Sequence, residues 1–262
     1  MSDTTSSWDD SDVRDDLAAV RASHPLVWGI TNFIAAPLNA NVLLAVEASA
    51  AIGAIEASAP GSAAAADGLW INLAAVTFQT PGALISAARS ARDHGTPWVF
   101  DPVSYGGPSV VHNETAHAVL EARPTLIRGN ASEIITLAGG KGGARGVDST
   151  ASPRDAVEYA VALSERFGST VAISGPTDLI VTGARVTAVP GGHEWLTRVT
   201  GAGCSLGALI AAFAAVQDDP HRAAASAHAV YARAAEQAAA VSRGTGSFAV
   251  ALLDELTNLG VA

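Results

Sequence analysis

Short, continuously apolar segments alternate along the chain with longer segments of helical character, and this alternation constrains the fold more than any other feature. The apolar segments lack the period of two of a half-exposed strand, as expected where both faces of a sheet are covered. Three of the helical segments begin at proline, which a first helical turn tolerates. The predicted strands are Leu26–Ile30, Gly68–Val76, Pro97–Val103, Pro124–Asn130 and Ser169–Gly175, and the predicted helices are Pro37–Ala48, Pro81–His94, Ser132–Ala138 and Pro153–Phe167.

This order of segments predicts an α/β fold with a mostly parallel central sheet and helices on both faces. The segment Val181–Gly191 indicates an antiparallel turn at the sheet edge, and the chain beyond it is predicted to be almost wholly helical. Residues 1–14, rich in acidic and hydroxyl side chains, are predicted to form a flexible, solvated tail. Since neither a composition shift nor a long linker follows, residues 15–262 are predicted to form a single domain.

Charge and cysteine content limit the partners and the compartment. The 262 residues carry a formal net charge of −10, which argues against non-specific binding to DNA, RNA or an anionic membrane. A nucleotide chelated by a metal ion remains compatible with this charge. One cysteine cannot form an internal disulfide, and every apolar stretch is interrupted before the roughly 18 to 20 residues that span a bilayer. We therefore expect a cytoplasmic protein with small-molecule ligands.

Polar residues stand at the ends of the predicted strands, where ligands bind in a parallel sheet. Asp101 and Glu133 are suited to hold Mg²⁺ directly or through water, and Arg128 offers a planar cationic fork for phosphate. Each residue taken alone is explained equally well as a helix cap, but their concurrence on one sheet edge favours a binding site. The strand-end residues are Thr31, Asn32, Asp101, Arg128, Asn130, Glu133, Ser174 and Gly175.

The motif TGAGC directly precedes an apolar run of helical character. Its glycines allow the backbone to approach an anion, and the N–H groups from Ala202 through Ser205 are predicted to point at that anion from a helix N-terminus. The motif lacks the Gly-Lys-Ser/Thr ending of a phosphate loop and the spacing of the dinucleotide fingerprint, and an ordinary strand-to-helix turn would also explain Gly201 and Gly203. If exposed, Cys204 is predicted to have a lowered pKa; its alternative role is a small buried apolar residue.

Six motifs occur in a fixed order between about Pro25 and Leu259. They are ITNFIAAPLNANVLLAVEASAAI, FDPV, PTLIRGNASEI, GVDS, GGHEWLTRVTGAGCSLGALIAAFAAV and GTGSFAVALLDELTNL. On these motifs the sequence resembles the hydroxyethylthiazole kinase family of the ribokinase-like superfamily. The resemblance implies a ribokinase-like three-layer α/β/α fold and phosphorylation of the primary alcohol of 4-methyl-5-(2-hydroxyethyl)thiazole by ATP and Mg²⁺ in thiamine salvage. It also implies a homotrimer in which subunit contacts help to build the thiazole site.

The resemblance, together with the strand-end pattern, implies roles for individual residues. Cys204 stands where most other ribokinase-like kinases have an aspartate beside the reacting hydroxyl, and as a thiolate it would accept the proton of the alcohol. Positioning and charge neutralisation would outweigh this base catalysis, since phosphoryl transfer passes through a loose transition state. The implied roles are catalytic for Gly201, Ala202, Gly203 and Cys204, ATP-binding for Arg128 and Ser174, substrate-binding for Asn32, Ile52 and Gly201, and metal-binding for Asp101 and Glu133.

The sequence departs from the family pattern mainly where the alcohol would lie. Trp28 and Gly29 replace a His-Cys or His-Asn pair, Ile52 replaces a methionine, Ala74 and Ala75 replace Gly-Thr, and Pro176 replaces a glutamate. Two alternatives therefore remain: a ribokinase-like kinase of another small hydroxyalkyl heterocycle, and a non-catalytic nucleotide or metabolite binder.

Three further features of the sequence give no evidence for a second binding site. The seven histidines lack the spacing of a zinc site. The glycine-rich segment Gly139–Gly146 follows a predicted helix, which favours a flexible surface connection over a phosphate cradle. Trp195 is compatible with a core position and with stacking on a ring.

Overall fold

A single nine-stranded sheet forms the centre of the protein, whose computed structural model describes residues 2–141 and 151–260. The strands are β1 (Ser2–Thr5), β2 (Leu26–Ile30), β3 (Ser49–Ile52), β4 (Gly68–Asn72), β5 (Trp98–Asp101), β6 (Leu126–Asn130), β7 (Thr170–Ser174), β8 (Thr177–Thr182) and β9 (Arg185–Pro190). Their order in the sheet is β1-β9-β8-β7-β6-β5-β4-β2-β3. Within the described residues β8 is antiparallel to both neighbours, and all other strand pairs are parallel.

Ten helices cover the two faces of the sheet in the described part of the chain. They are α1 (Ser11–Ser23), α2 (Ala36–Ala45), α3 (Ala59–Ala65), α4 (Pro81–His94), α5 (Val110–Leu120), α6 (Ala131–Leu137), α7 (Val157–Phe167), α8 (Ala202–Ala214), α9 (Pro220–Val241) and α10 (Thr245–Asn258). One core contains residues of α1, α2, α8, α9 and α10, and a second core on the opposite face contains residues of α3 to α7. The predicted three-layer arrangement is thus confirmed. Of the helices described, none is both long and apolar enough to cross a membrane.

The N-terminal residues differ from their prediction as a flexible tail. β1 pairs in parallel with β9, and α1 begins at Ser11 and buries Val13. Next to it, the buried Asp16 carboxylate accepts hydrogen bonds from Arg222 Nη2 at 2.8 Å and Ser226 Oγ at 2.6 Å, which ties α1 to α9. The prediction of a tail was wrong because an edge strand is held by main-chain hydrogen bonds and needs no apolar pattern. The single domain over residues 15–262 stays a prediction.

Most predicted elements occur close to their predicted bounds. The strand Leu26–Ile30 and the helix Pro81–His94 are confirmed at both ends. β4 ends earlier than predicted, at Asn72, because the next residues form a 3₁₀ turn, Leu73–Thr77. The predicted antiparallel turn is confirmed as the β8–β9 pair, but it does not lie at the sheet edge, since β1 adds beyond β9.

Several short elements were not predicted. β3 and α3 were missed because short segments rich in alanine and other small residues have no clear period. The helix α5 was also not predicted. In the glycine-rich connection Gly139–Gly146, residues 142–146 lie outside the described residues, as does the GVDS motif.

Candidate active site

Four polar side chains form a continuous row across the carboxyl ends of neighbouring strands. Asn72 ends β4, Asp101 ends β5, Arg128 lies in β6 and Ser174 ends β7. Asp101 Oδ2 lies 3.4 Å from Asn72 Nδ2 and 3.5 Å from Arg128 Nη1, and Arg128 Nε donates to Ser174 Oγ at 3.1 Å. Asn72 and Asp101 are fully buried and Arg128 is nearly so. We call these four residues the polar row.

Three members of the polar row were predictable from the sequence, and the fourth was not predicted. Asp101, Arg128 and Ser174 were expected at one sheet edge, and the structure brings them together. Asn72 was missed although it obeys the same rule, because the predicted strand continued past it to Val76. Its register partner is Asp101 of β5, so a correct end for β4 would have identified it.

The carboxylate of Asp101 has an unusual environment. Burial raises its pKa from an ordinary 3.8 to about 7, the Arg128 guanidinium opposes that shift, and the nearby Glu133 carboxylate adds to it. Among the described residues, no hydrogen-bond partner reaches its Oδ1 atom, which is buried. A buried carboxylate oxygen without a partner indicates a position for a ligand, since such an atom is costly to leave unsatisfied.

Glu133 is engaged mainly by the backbone. Its Oε2 accepts from the Asn130 N–H at 2.9 Å and its Oε1 from the Ser104 N–H at 3.4 Å, while Asn130 Oδ1 accepts from the Glu133 N–H at 2.9 Å. This reciprocal pair is a capping box at the start of α6. Burial raises the pKa of Glu133. The helix-cap alternative thus applies to these two strand-end residues, and Glu133 contributes charge near Asp101 rather than a free oxygen.

The donor set around Asp101 fits Mg²⁺ bound together with phosphate. No group of three or more His, Cys, Asp or Glu side chains within residues 2–141 and 151–260 is able to hold a metal ion by itself. Mg²⁺ commonly takes one or two protein carboxylates and completes its shell with substrate phosphates and water. The unpartnered Asp101 Oδ1 supplies such a carboxylate oxygen.

The TGAGC motif lies at the N-terminus of α8, next to the polar row. Gly201 is the N-cap residue and has φ 88°, a left-handed conformation that favours glycine. A Cβ atom placed on Gly203 would lie 3.6 Å from both terminal nitrogens of Arg128. The guanidinium and the positive end of α8 therefore face the same space. A 3₁₀ turn, Glu194–Arg198, lies between β9 and the motif. The motif therefore does not connect a strand directly to a helix, as the alternative interpretation required.

Only part of the predicted N–H cluster has hydrogens available for an anion. The Ala202 N–H donates to Val199 O at 3.1 Å, and the Ser205 N–H makes an intrahelical bond of 2.8 Å. In the described part of the chain, no acceptor faces the N–H groups of Gly203 and Cys204. The prediction that Ala202 and Ser205 donate to an anion was therefore wrong, since both N–H groups already donate to backbone carbonyl oxygens at the start of the helix.

Cys204 is a partly buried, protonated thiol. Its Sγ accepts a hydrogen bond from Asn72 Nδ2 at 3.2 Å. Burial raises its pKa from 9.0 to about 12, and the Asp101 carboxylate adds to this shift. The lowered pKa was predicted only for an exposed thiol; this thiol is partly buried, so the alternative of a small buried residue applies. The raised pKa argues against the hypothesis of a thiolate base, because burial and the Asp101 carboxylate outweigh the opposing effect of Arg128.

We expect Cys204 to react slowly with iodoacetamide. At pH 8 its thiolate fraction is roughly 2,000-fold lower than that of a free cysteine with a pKa of about 8.5, and the greater nucleophilicity of a more basic thiolate recovers about 40-fold. The alkylation rate should therefore be about 50-fold below that of free cysteine. Mass spectrometry reports on this residue alone, because it is the only cysteine. A rate equal to or above that of free cysteine would contradict the protonated state.

The predicted alcohol-site residues lie at the adjoining end of the sheet. Asn32 is buried, and its Oδ1 accepts from the Ala35 N–H at 2.9 Å at the start of α2. A Cβ atom on Gly201 would lie 3.2 Å from Ala35 Cα, so this turn directly adjoins the TGAGC motif. Ile52 is half-exposed at the end of the edge strand β3, where its register partner is Gly29.

One departure from the family pattern has a structural reason within this chain. A Cβ atom at Gly29 would lie 3.0 Å from Cε3 of the buried Trp70 and 3.7 Å from Ile52. The indole therefore occupies the space that a side chain at position 29 would need.

Trp195 packs within the protein. Its ring lies 5.8 Å from that of Phe248 and 4.8 Å from that of His193, both in edge-on contacts. It borders the core that contains α8, α9 and α10. These contacts favour the core alternative over stacking on a ligand.

Comparison with known proteins shows extensive similarity. The model of the hydroxyethylthiazole kinase family matches residues 17–261. A hydroxyethylthiazole kinase of Burkholderia pseudomallei (strain 668) is 51% identical over 256 residues, which cover 98% of this chain and 92% of that protein. The solved structure of the hydroxyethylthiazole kinase protein from Pyrococcus horikoshii OT3 has a TM-score of 0.84 at 33% identity and covers 94% of this chain and 93% of its own.

A more distant structure extends the likeness of the fold. A ribokinase-like superfamily protein from Enterococcus faecalis V583 has a TM-score of 0.62 at 12% identity, covering 97% of this chain and 91% of its own. At this identity the likeness concerns the fold alone. The ribokinase-like fold predicted from the sequence is confirmed.

Proposed function

The chain belongs to the hydroxyethylthiazole kinase family, and from this premise we propose that it transfers the γ-phosphoryl group of ATP to the primary alcohol of 4-methyl-5-(2-hydroxyethyl)thiazole. The reaction would serve thiamine salvage in the cytoplasm. The observation that carries the proposal is the meeting of the polar row with the N-terminus of α8, where Arg128 and two N–H groups without acceptors in the described chain face the same space.

In the proposed mechanism the protein positions groups and neutralises charge. Arg128 and the N–H groups of Gly203 and Cys204 would hold the oxygens of the transferring phosphoryl group, which carry the charge in a loose transition state. Ser174 fixes the guanidinium through its Nε–H. Mg²⁺, held by Asp101 with Glu133 nearby, would supply charge neutralisation at the phosphates.

Cys204 has a positioning task in this mechanism. Its protonated thiol would lie beside the substrate hydroxyl as a hydrogen-bonding neighbour. A loose transition state requires little removal of the alcohol proton before the P–O bond breaks. A thiolate is therefore not needed, and the loss of one neutral hydrogen bond in Cys204→Ala should cost no more than about tenfold in kcat.

A turnover assay tests the proposed activity against both alternatives. ADP release is measured with ATP, Mg²⁺ and, in turn, hydroxyethylthiazole, a hydroxymethylpyrimidine and pyridoxal; 4-methylthiazole, which lacks the alcohol, serves as the matched control. The proposal requires the highest kcat/KM for hydroxyethylthiazole and no ADP release above background with the control. Preference for another alcohol supports the related-kinase alternative, and a lack of turnover with all of them supports the non-catalytic binder.

We also propose the homotrimer that the resemblance to the family implies, and an exposed apolar surface at the alcohol end of the sheet supports a subunit contact there. Four side chains between 45% and 75% exposed follow the carboxyl ends of the neighbouring strands β2, β3 and β4, namely Phe33, Ile34, Ile55 and Phe78. The rings of Phe33 and Phe78 lie 4.8 Å apart. Such clusters on a protein surface commonly mark interfaces, and this one adjoins Asn32 and Ile52.

The expected mass in light scattering is three times the 26.3 kDa of the chain. Phe33→Asp should release monomers and lower turnover, because it places a charge in the proposed interface next to the alcohol site. Val250→Asp, at an equally exposed position on α10, should leave both properties unchanged. A monomeric parent protein at micromolar concentration would contradict the trimer.

A further inference from the structure

Asn72 connects two residues of the proposed reaction centre that lie on different elements. Its side chain is fully buried at the end of β4. The Nδ2 amide donates to Cys204 Sγ at 3.2 Å, at the start of α8, and to Asp101 Oδ2 at 3.4 Å, at the end of β5. A single NH₂ group thus bridges the thiol at the proposed alcohol position and the carboxylate at the proposed phosphate position.

The orientation of this amide is determined by the backbone. Asn72 Oδ1 accepts from the Ala74 N–H at 3.0 Å, the capping bond of the 3₁₀ turn Leu73–Thr77. Since only the oxygen of the amide accepts a hydrogen bond, the nitrogen must point the other way, toward Asp101 and Cys204. Both polar atoms of the side chain are therefore engaged, and flipping the amide would break three hydrogen bonds.

The bridge also determines which oxygen of Asp101 remains available. Asn72 Nδ2 and Arg128 Nη1 both approach Oδ2, whereas no group of the described chain bonds to Oδ1. Side chains from β4 and β6, the two strands that flank β5, thus contact the same oxygen of the Asp101 carboxylate, and these contacts restrict the rotation of the carboxylate. The other oxygen is left facing a site with no protein partner.

We propose that Asn72 is a positioning residue for phosphoryl transfer, whose amide holds the Asp101 carboxylate and the Cys204 thiol in a fixed relation. The inference rests on the proposed function, since it assigns Asn72 to that same site. Loss of the amide donor would leave substrate binding intact but allow the two groups to shift relative to each other. Misplacement of this kind lowers the rate of a step that depends on alignment.

Two substitutions separate positioning from helix capping. Asn72→Ser keeps a side-chain oxygen suited to capping the 3₁₀ turn but removes the NH₂ donor, whereas Asn72→Ala removes both. Both variants should lower kcat by about 10- to 100-fold, the range found for residues that hold a metal-binding side chain in place through a hydrogen bond. The KM values for ATP and alcohol, and the calorimetric dissociation constant of ADP, should change by less than about threefold, because ground-state binding is unaffected.

A double-mutant cycle tests whether Asn72 acts through the thiol. In a Cys204→Ala background, Asn72→Ser should lower kcat by a smaller factor than in the parent, since part of its effect has already been lost. Ser109→Ala, which removes the capping oxygen of α5 and touches no member of the polar row in the described chain, is the matched control and should lower the melting temperature with no change in kcat.

The kinetics of the parent protein and of the Asn72 variants separate a failure of this inference from a failure of the proposed function. If the parent turns over hydroxyethylthiazole and Asn72→Ser keeps the parental kcat while Asn72→Ala is slow, capping explains the residue and the inference is overturned. Fully additive effects in the cycle, or a loss seen only in KM, overturn it as well. A parent without turnover on any alcohol overturns the proposed function, and this inference with it.

Discussion

Asp101→Asn is expected to lower kcat by about 10²- to 10³-fold while the protein remains folded. The substitution keeps the size of the side chain but removes the negative charge of the one carboxylate in the polar row whose second oxygen has no partner in the described chain. Charge arranged in advance around a transferring phosphoryl group is the main contribution that the protein makes to such a reaction. Steady-state kinetics at saturating ATP and alcohol, over a range of Mg²⁺ concentrations, measures the effect.

The melting temperature of Asp101→Asn should show that the expected loss of kcat is not caused by unfolding. The carboxyl has a pKa of about 7 in the folded protein against an ordinary 3.8, so between these values the native state binds a proton that the unfolded chain has released. Its contribution to the free energy of unfolding therefore falls as the pH rises from about 4 to 7. Asparagine has no such dependence, and the melting temperature of the variant should rise relative to the parent between pH 5 and pH 8.

Asp67→Asn supplies the control. Asp67 is an exposed carboxylate that accepts one backbone hydrogen bond, from the Leu26 N–H at 2.8 Å, and it directly precedes β4, at the opposite end of that strand from Asn72. Its kcat should equal that of the parent. Parental kcat in Asp101→Asn at every Mg²⁺ concentration would remove Asp101 from the proposed site.

Gly201→Ala should lower kcat by about tenfold, and Gly201→Val by about 10²-fold. At φ 88° any side chain is strained, and a Cβ atom would lie 3.2 Å from the Ala35 backbone, so either α2 or the N-terminus of α8 must shift. For alanine the neighbour must give by only a few tenths of an ångström, and for the larger valine by more. A misplacement of about 1 Å in groups that align a reaction costs about 10²-fold in rate. The N–H groups of Gly203 and Cys204 follow directly after this turn and would move with it.

Gly95→Ala is the matched control for this prediction. Gly95 has φ 74° and ends α4, but a Cβ atom there would have no neighbour within 4 Å. It carries the same backbone strain without displacing an element of the site. Both alanine variants should lose about 1 to 3 kcal/mol of stability, and only Gly201→Ala should lose activity. Equal kcat values in the two folded variants would show that TGAGC is an ordinary helix start.

The parallel strands and the strand-end residues were predictable because their signals are local. Continuous apolar runs such as Leu26–Ile30 mark strands covered on both faces, and in a parallel sheet their carboxyl ends must meet at one edge. Asp101, Arg128 and Ser174 could therefore be placed together before any coordinates were known. Short elements without a period, such as β3 and α3, carry no comparable signal.

By itself, the sequence determined the fold class, the family and the sheet edge at which the candidate site lies. Only the tertiary structure decided the state of individual groups. The pKa of Cys204 is raised by burial and by the carboxylate of Asp101, a residue far away in the chain, and neither effect is visible in the TGAGC motif. The same is true of Asn72, Glu133 and the Ala202 N–H, because hydrogen-bond partners and local dielectric are properties of the packed molecule and not of a motif.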